Sequence, residues 1–239
     1  TGPFAGSAVL RRTMTTGLFF TQLLNGLQLG VLLFLLSAGL TLVFGIMNVV
    51  NLAHGSLYMM GAYFAAAGFN AFDGSFLAAA LVAIPGTLLL GLLVERIVLA
   101  NLYQRDHLDQ VLATFGLILF FHELVRAVGG PAGKSLAVPA FLAHTVEILP
   151  GVLYPAYRFA IIVVGALVAL LLAWLVARTR LGMLIRAGAS NRRMIGALGV
   201  NIELLFSLVF GLGAVFAGLA GLMAAPISSV KIGMGDDIL

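Results

Sequence analysis

The chain has no cysteine and very little charge. Without a thiol there is no disulfide framework, no thiolate metal site and no redox pair. Charged residues make up 9% of its 239 positions, against about 25% in a soluble domain. Hydrophobic residues make up 62%, above the roughly 45–50% that such a domain carries, and a soluble fold of this size could not hide that much apolar surface. Whole stretches carry no Asp, Glu, Lys or Arg: 13–72, 159–177 and 204–230. A crossing takes about 20 apolar residues, so the first stretch alone accommodates two or more. The pattern predicts an all-α, polytopic transmembrane helical bundle embedded in a lipid bilayer.

Six apolar segments are expected, over 18–46, 52–72, 76–94, 111–128, 159–177 and 204–225. The first exceeds one crossing, so it must tilt, kink or protrude. The loop 178–203 carries Arg178, Arg180, Arg186, Arg192 and Arg193 against Glu203 alone, and basic loops collect on the cytoplasmic side. With six crossings, that placement puts Arg96 and Arg105 inside as well, and leaves Lys134, Arg158 and Lys231 outside. It also puts the N-terminus outside, against Arg11 and Arg12. Either one segment fails to cross, or residues 1–16 are a non-native or disordered tail, with Met14 as a start. The net charge of +4 comes from residues flanking apolar segments, which argues topology and no nucleic acid.

Polar side chains within apolar segments need a protein partner or water. The richest cluster is Asn48, Asn51 and His54. As a helix the three share one face; with an opened backbone their amides would satisfy freed N–H and carbonyl groups; as a plain turn they would be a cytoplasmic loop with a satisfied histidine. Asn25 with Gln28, and Ser37 with Thr41, have the spacing of hydrogen-bonding helix contacts. Gly213, Ala214, Ala217, Gly218 and Gly221 follow small-xxx-small spacing, which lets helix backbones approach closely. Glu123 and Arg126 are three apart and are expected to pair or to snorkel. The histidines His54, His107, His122 and His144 lie in separate regions without metal-ligand spacing, and no nucleophile, base and orienter set is legible. Neither cofactor nor catalysis is expected of this chain, and the energy for its work must come from an ion gradient or a partner ATPase.

Four blocks carry a resemblance: Asn25-Gly26-Leu27-Gln28-Leu29-Gly30, Gly39-Leu40-Thr41-Leu42-Val43-Phe44-Gly45, Asn51-Leu52-Ala53-His54-Gly55, and Leu108-Asp109-Gln110-Val111-Leu112-Ala113-Thr114-Phe115-Gly116-Leu117. They are similar to the LivH-type permeases of branched-chain amino acid ABC transporters. Arg180-Leu181-Gly182-Met183, Arg186-Ala187, Asn191 and Leu198-Gly199-Val200-Asn201 resemble that family's coupling segment. The resemblance implies a multi-pass permease of the bacterial inner membrane, paired with a second permease subunit. It also implies two cytoplasmic ABC ATPases, which bind ATP and Mg, and a periplasmic substrate-binding protein. An amphipathic coupling helix over 184–198 would ride on an ATPase with apolar contacts from Leu184, Ile185, Ile195 and Leu198 and polar ones from Arg186, Arg192 and Arg193, and Ala187, Asn191, Gly199 and Asn201 belong to the same coupling segment. Substrate would pass Thr41, Asn48, Asn51 and His54. The coupling motif's acidic residue is missing from Arg186-Ala187-Gly188-Ala189, so only the loop's role carries over. Family members continue beyond the position of Leu239, so the chain reads as a single permease domain over 1–239, truncated at its C-terminus. Urea or short-amide permeases are the near alternative, and a gradient-driven transporter the remote one.

Overall fold

The computed structural model describes residues 16–130, 132–149 and 152–238; the expectations about the N-terminal tail and about the chain past Leu239 fall outside them. Seven helices are described: α1 (Thr16–Met47), α2 (His54–Ala71), α3 (Phe76–Ile97), α4 (His107–Gly129), α5 (Ala156–Arg178), α6 (Arg180–Ala197) and α7 (Ile202–Ala224). Five of them, all but α2 and α6, are long and apolar enough to cross a membrane.

The second expected crossing is α2, a helix of 18 residues that falls short of the others in hydropathy. The reason is its position. It is packed against α3 and α7, with its Tyr63 at Gly129 near the end of α4, and most of its Gly, Ala, Ser and Tyr residues are buried in protein. A helix surrounded by protein needs small residues more than oily ones.

The axis of the bundle is α7, packed against α1, α2 and α3. Its glycines set the distances. Gly213 lies against the backbone of Gly39 on α1, Gly218 against Gly61 on α2 and Thr87 on α3, and Gly221 against the Tyr58 carbonyl on α2. Ala214 fills the space beside Gly91 of α3. A β-carbon on Gly61 would fall 2.5 Å from the Gly218 Cα, inside any real contact. α5 lies outside α1, and α4 at the rim.

Side-chain contacts sort the connections into two ends. At one, Arg192 donates to the Met47 carbonyl (3.3 Å), and Arg96 pairs with Glu203 (3.5 Å). At the other, Asn25 Oδ1 accepts from Arg158 (2.8 Å) and from the Tyr154 hydroxyl (3.2 Å). Tyr157 at that end donates to the Met223 carbonyl (3.0 Å). Parity gives this same grouping when α2 is counted as a crossing beside the five spans. Asn25 therefore bonds across to the far connection, and not with Gln28.

The second end carries an element absent from the all-helical expectation, an antiparallel pair of strands β1 (Thr145–Leu149) and β2 (Val152–Pro155). After α7 the chain pairs Val230 with Lys134 through two backbone hydrogen bonds (2.9 and 2.7 Å). It then folds back along the bundle, bringing Gly235 against Gly55 and Asp236 to 3.3 Å from His122 Nε2.

α1 is one unbroken helix of 32 residues, so of the three ways to fit a long segment a kink is not the one used.

Candidate functional site

Between α1 and α2 the chain neither continues as helix nor loops out. Asn48 closes α1 with a left-handed backbone (φ 51°), its N–H on the Phe44 carbonyl (2.9 Å), a conformation asparagine tolerates better than most residues. Asn51 Oδ1 then accepts from the Ala53 N–H (3.0 Å), and the Val50 N–H donates to Gln110 Oε1 on α4 (3.1 Å). These side chains stand in for the helical hydrogen bonds that residues 48–53 lack. The shared helical face of Asn48, Asn51 and His54 does not exist; the opened backbone does.

The opening carries the chain back into the bundle. His54, the first residue of α2, has no exposed surface, and its Nε2 lies 3.2 Å from the Leu36 carbonyl. A carbonyl only accepts, so Nε2 donates. Gly39 makes the room: a β-carbon there would sit 3.0 Å from His54 Nε2 and 2.7 Å from the Gly213 carbonyl. His54 thus enters beside Leu36 and Gly39, eight or more residues back from the end of α1, or about 12 Å at 1.5 Å per residue. The polar turn lies inside the bundle and not at its surface.

Four buried side-chain atoms in this region have no hydrogen-bond partner among the described residues: Asn51 Nδ2, His54 Nδ1, Ser56 Oγ and Tyr63 Oη. The four fall within 13 positions, and a buried polar atom left unbonded costs about 1–3 kcal/mol.

A notch of about 270 Å³ opens beside it, lined by Leu40, Thr41, Phe44, Val49, Val50 and Asn51. Thr41 and Asn51 therefore line one notch. Asn48 belongs to a separate hollow of about 370 Å³ shared with Gly188 and Asn191 of α6. His54 lies behind both and lines neither.

α6 is the amphipathic element. It starts at Arg180, earlier than the expected 184–198, because Thr179 caps it directly after α5 (Gly182 N–H to Thr179 Oγ1, 3.1 Å). It kinks at Asn191 (φ −154°, ψ 89°), whose Oδ1 restarts the helix by accepting from the Met194 N–H (3.0 Å). Gly199 turns the chain out with φ 88°, and Asn201 caps α7 through the Leu204 N–H (3.0 Å).

Ile185 and Ile195 are buried, and Leu184 and Ala187 pack on the same core. The expectation that the isoleucines meet a partner is therefore corrected: they hold α6 to the bundle. The exposed apolar residues are Leu181, Met183, Met194 and Leu198, the last 72% exposed. Arg186 donates to the Val176 carbonyl and Arg192 to that of Met47, so two of the arginines act as ties to the helices behind.

One residue escaped the sequence reading. Glu95, expected in a connecting loop, is 2% exposed and accepts from Ser207 Oγ (2.7 Å) and the Tyr103 hydroxyl. Burial first, and then the hydrogen-bonded Glu95 carboxylate, push the Tyr103 hydroxyl well above its ordinary range. Glu123 and Arg126 do pair, at 2.7 Å and on the outside of α4. No group of three or more metal-ligating side chains occurs among the described residues.

Residues 22–238 match the family model described as a branched-chain amino acid transport system permease component. The chain is similar to the high-affinity branched-chain amino acid transport system permease protein BraD of Pseudomonas aeruginosa, at 30% identity over 217 residues, covering 86% of this chain and 70% of that protein. It is also similar to the corresponding LivH proteins of Salmonella typhimurium, at 27% over 217 residues, and of Escherichia coli K12, at 26% over 220, with the same coverage. No solved structure matches the chain.

Proposed function

Since this chain belongs to the family of branched-chain amino acid transport system permease components, we propose that it forms half of the path of an ATP-driven importer for branched-chain amino acids in the inner membrane. It is a multi-pass transport subunit and not itself an enzyme. A second permease subunit completes the path, two cytoplasmic ATPases drive it, and a periplasmic binding protein delivers substrate.

The observation that carries this reading is how α6 is joined. It follows α5 without a linker, is tied to the end of α1 through Arg192, and leads into α7 through the Asn201 cap. Met194 and Leu198 stand free at its far end, where an ATPase would grip. A push on that end moves the terminus of α1, and the next residues after α1 are the opened segment 48–53. Thr41 and Asn51 flank the notch there. In this reading Asn51 and Thr41 meet the charged ends of the amino acid, while Leu40, Phe44 and Val49 meet its aliphatic side chain at ~0.8 kcal/mol per buried CH₂. Asn48 serves at the inner mouth, and His54 fixes the start of α2 behind the path.

The test has two arms. Purification of the full-length protein from its own membranes in mild detergent should bring down two ATPases and a second permease, and replacing residues 186–201 with a neutral linker should lose the ATPases. Reconstituted with those partners, the transporter should take up labelled leucine in competition with isoleucine and valine but not with urea. Uptake that follows a proton gradient with ATP absent would overturn the proposal, and Glu95 would then be the carboxyl to examine.

A further inference from the structure

At the α6 end lies a hollow so far unassigned, a cleft of about 870 Å³. Its walls come from the connection between α3 and α4, from the second half of α6 and from the first turns of α7. Three guanidinium groups face it, those of Arg105, Arg192 and Arg193, beside Tyr103, Ile202 and Phe206. Glu203 is its one acidic lining residue, and Glu203 is paired with Arg96. The side chains of Arg105 and Arg193 form no hydrogen bond or ion pair among the described residues, so the cleft presents uncompensated positive charge.

Its depth is set by the spans around it. Ala100 belongs to the apolar stretch Phe76–Leu102, and Ile202 and Phe206 begin the span Ile202–Ala224. The cleft therefore opens where hydrocarbon gives way to headgroups. A basic pocket between transmembrane helices at that level suits a lipid phosphate, and a guanidinium presents the fork that phosphate oxygens match. The aromatic and aliphatic wall suits the glycerol backbone and the first carbons of the acyl chains, which a free anion lacks.

We propose that this cleft binds the phosphate headgroup of an anionic glycerophospholipid, held by Arg105 and Arg193 with Arg192 at its edge. A lipid seated there would join the α3–α4 connection to α6 and α7. The proposal rests on the level of the cleft in the bilayer and not on the transported substrate.

The experiment uses the full-length chain, purified and placed in nanodiscs of equal phosphatidylglycerol and phosphatidylcholine, with retained lipid counted by native mass spectrometry. The wild type and an Arg178→Gln control, which loses one charge away from the cleft as Arg193→Gln loses one within it, should both retain phosphatidylglycerol selectively. The double variant Arg105→Gln, Arg193→Gln should lose that selectivity by roughly tenfold. Both arginines are exposed, and Arg193→Gln alone, with an intermediate loss, serves if the double variant misfolds. Equal retention by all variants overturns the proposal, as does an equal loss in the Arg178 control, which would mean diffuse attraction. Full competition by glycerol phosphate makes it a soluble-anion site instead. Release of the lipid on adding the ATPases overturns the proposal as well, since the cleft is then part of their footprint.

Discussion

α7 and α4 are each 23 residues long and both are apolar enough to cross a bilayer, yet 67% of one span is buried inside the bundle and 17% of the other. Hydropathy does not separate them. Lipid is as apolar as leucine, so apolarity alone does not pull one helix onto another; what differs is where the small residues fall. α7 places Gly213, Ala214, Gly218 and Gly221 against three neighbours, whereas α4 has Leu112, Leu119 and Phe120 exposed and a Gly116 that faces open space. The rim helix can also carry Glu123 and Arg126 on its outside. A charge there would be far costlier on α7.

The largest effect that would test this contrast is Gly218→Leu. The β-carbon of the new side chain would fall against Thr87 Oγ1 and 2.7 Å from Thr87 Cβ, and the loss should exceed ~3 kcal/mol, the upper end of overpacking. Little folded protein should survive solubilisation, as read by size-exclusion chromatography after detergent extraction. Gly213→Ala adds one methyl 3.0 Å from both the Gly39 carbonyl and a Val43 methyl, and should cost ~1–3 kcal/mol, seen as a lowered melting temperature. The same change at Gly116, with nothing within 4 Å, should have the opposite sign and stabilise by ~0.5–1 kcal/mol, the difference in helix propensity. If both alanines shift the melting temperature in one direction, the contrast fails. Smallest is Leu119→Ala on the outside of α4, expected within ~0.5 kcal/mol of wild type. A larger loss that appears only in the assembled transporter would show α4 to be covered by another subunit.

Much of the bundle was legible in the sequence because charge-free length is a strong signal: each of the five spans overlaps an expected segment closely. α2 was legible as an element but not as a buried one, since Gly, Ala, Ser and Tyr in a moderately apolar run do not say what surrounds them. The 48–53 opening left three readings because asparagines suit a helix face, a turn and an unwound backbone alike; only the positions of Leu36 and Gly39 decide among them. Glu95 looked like a loop residue because its partner Ser207 is 112 positions away. The strands β1 and β2 did have a signal, β-branched and aromatic residues either side of a Pro-Gly pair, which the strength of the helical pattern masked. On α6 the amphipathic character was readable, but not which apolar residues faced inward, because the break at Asn191 resets the periodicity.

At 1.5 Å per residue α1 is about 48 Å long, against roughly 30 Å of hydrocarbon. Its second half is clamped by α7 and ends at the tie to Arg192, and its first half is held at Asn25 by Arg158 and Tyr154, so the excess is taken up by tilt of the whole helix or by its first turns, where Phe19 and Leu23 lie exposed. Changing the acyl-chain length of the host membrane would tilt the unbroken α1 as a whole, and with it the contact between Gly39 and the ring of His54. Bilayer thickness thereby becomes an input to the same joint that, under the proposed function, α6 would work from the other end.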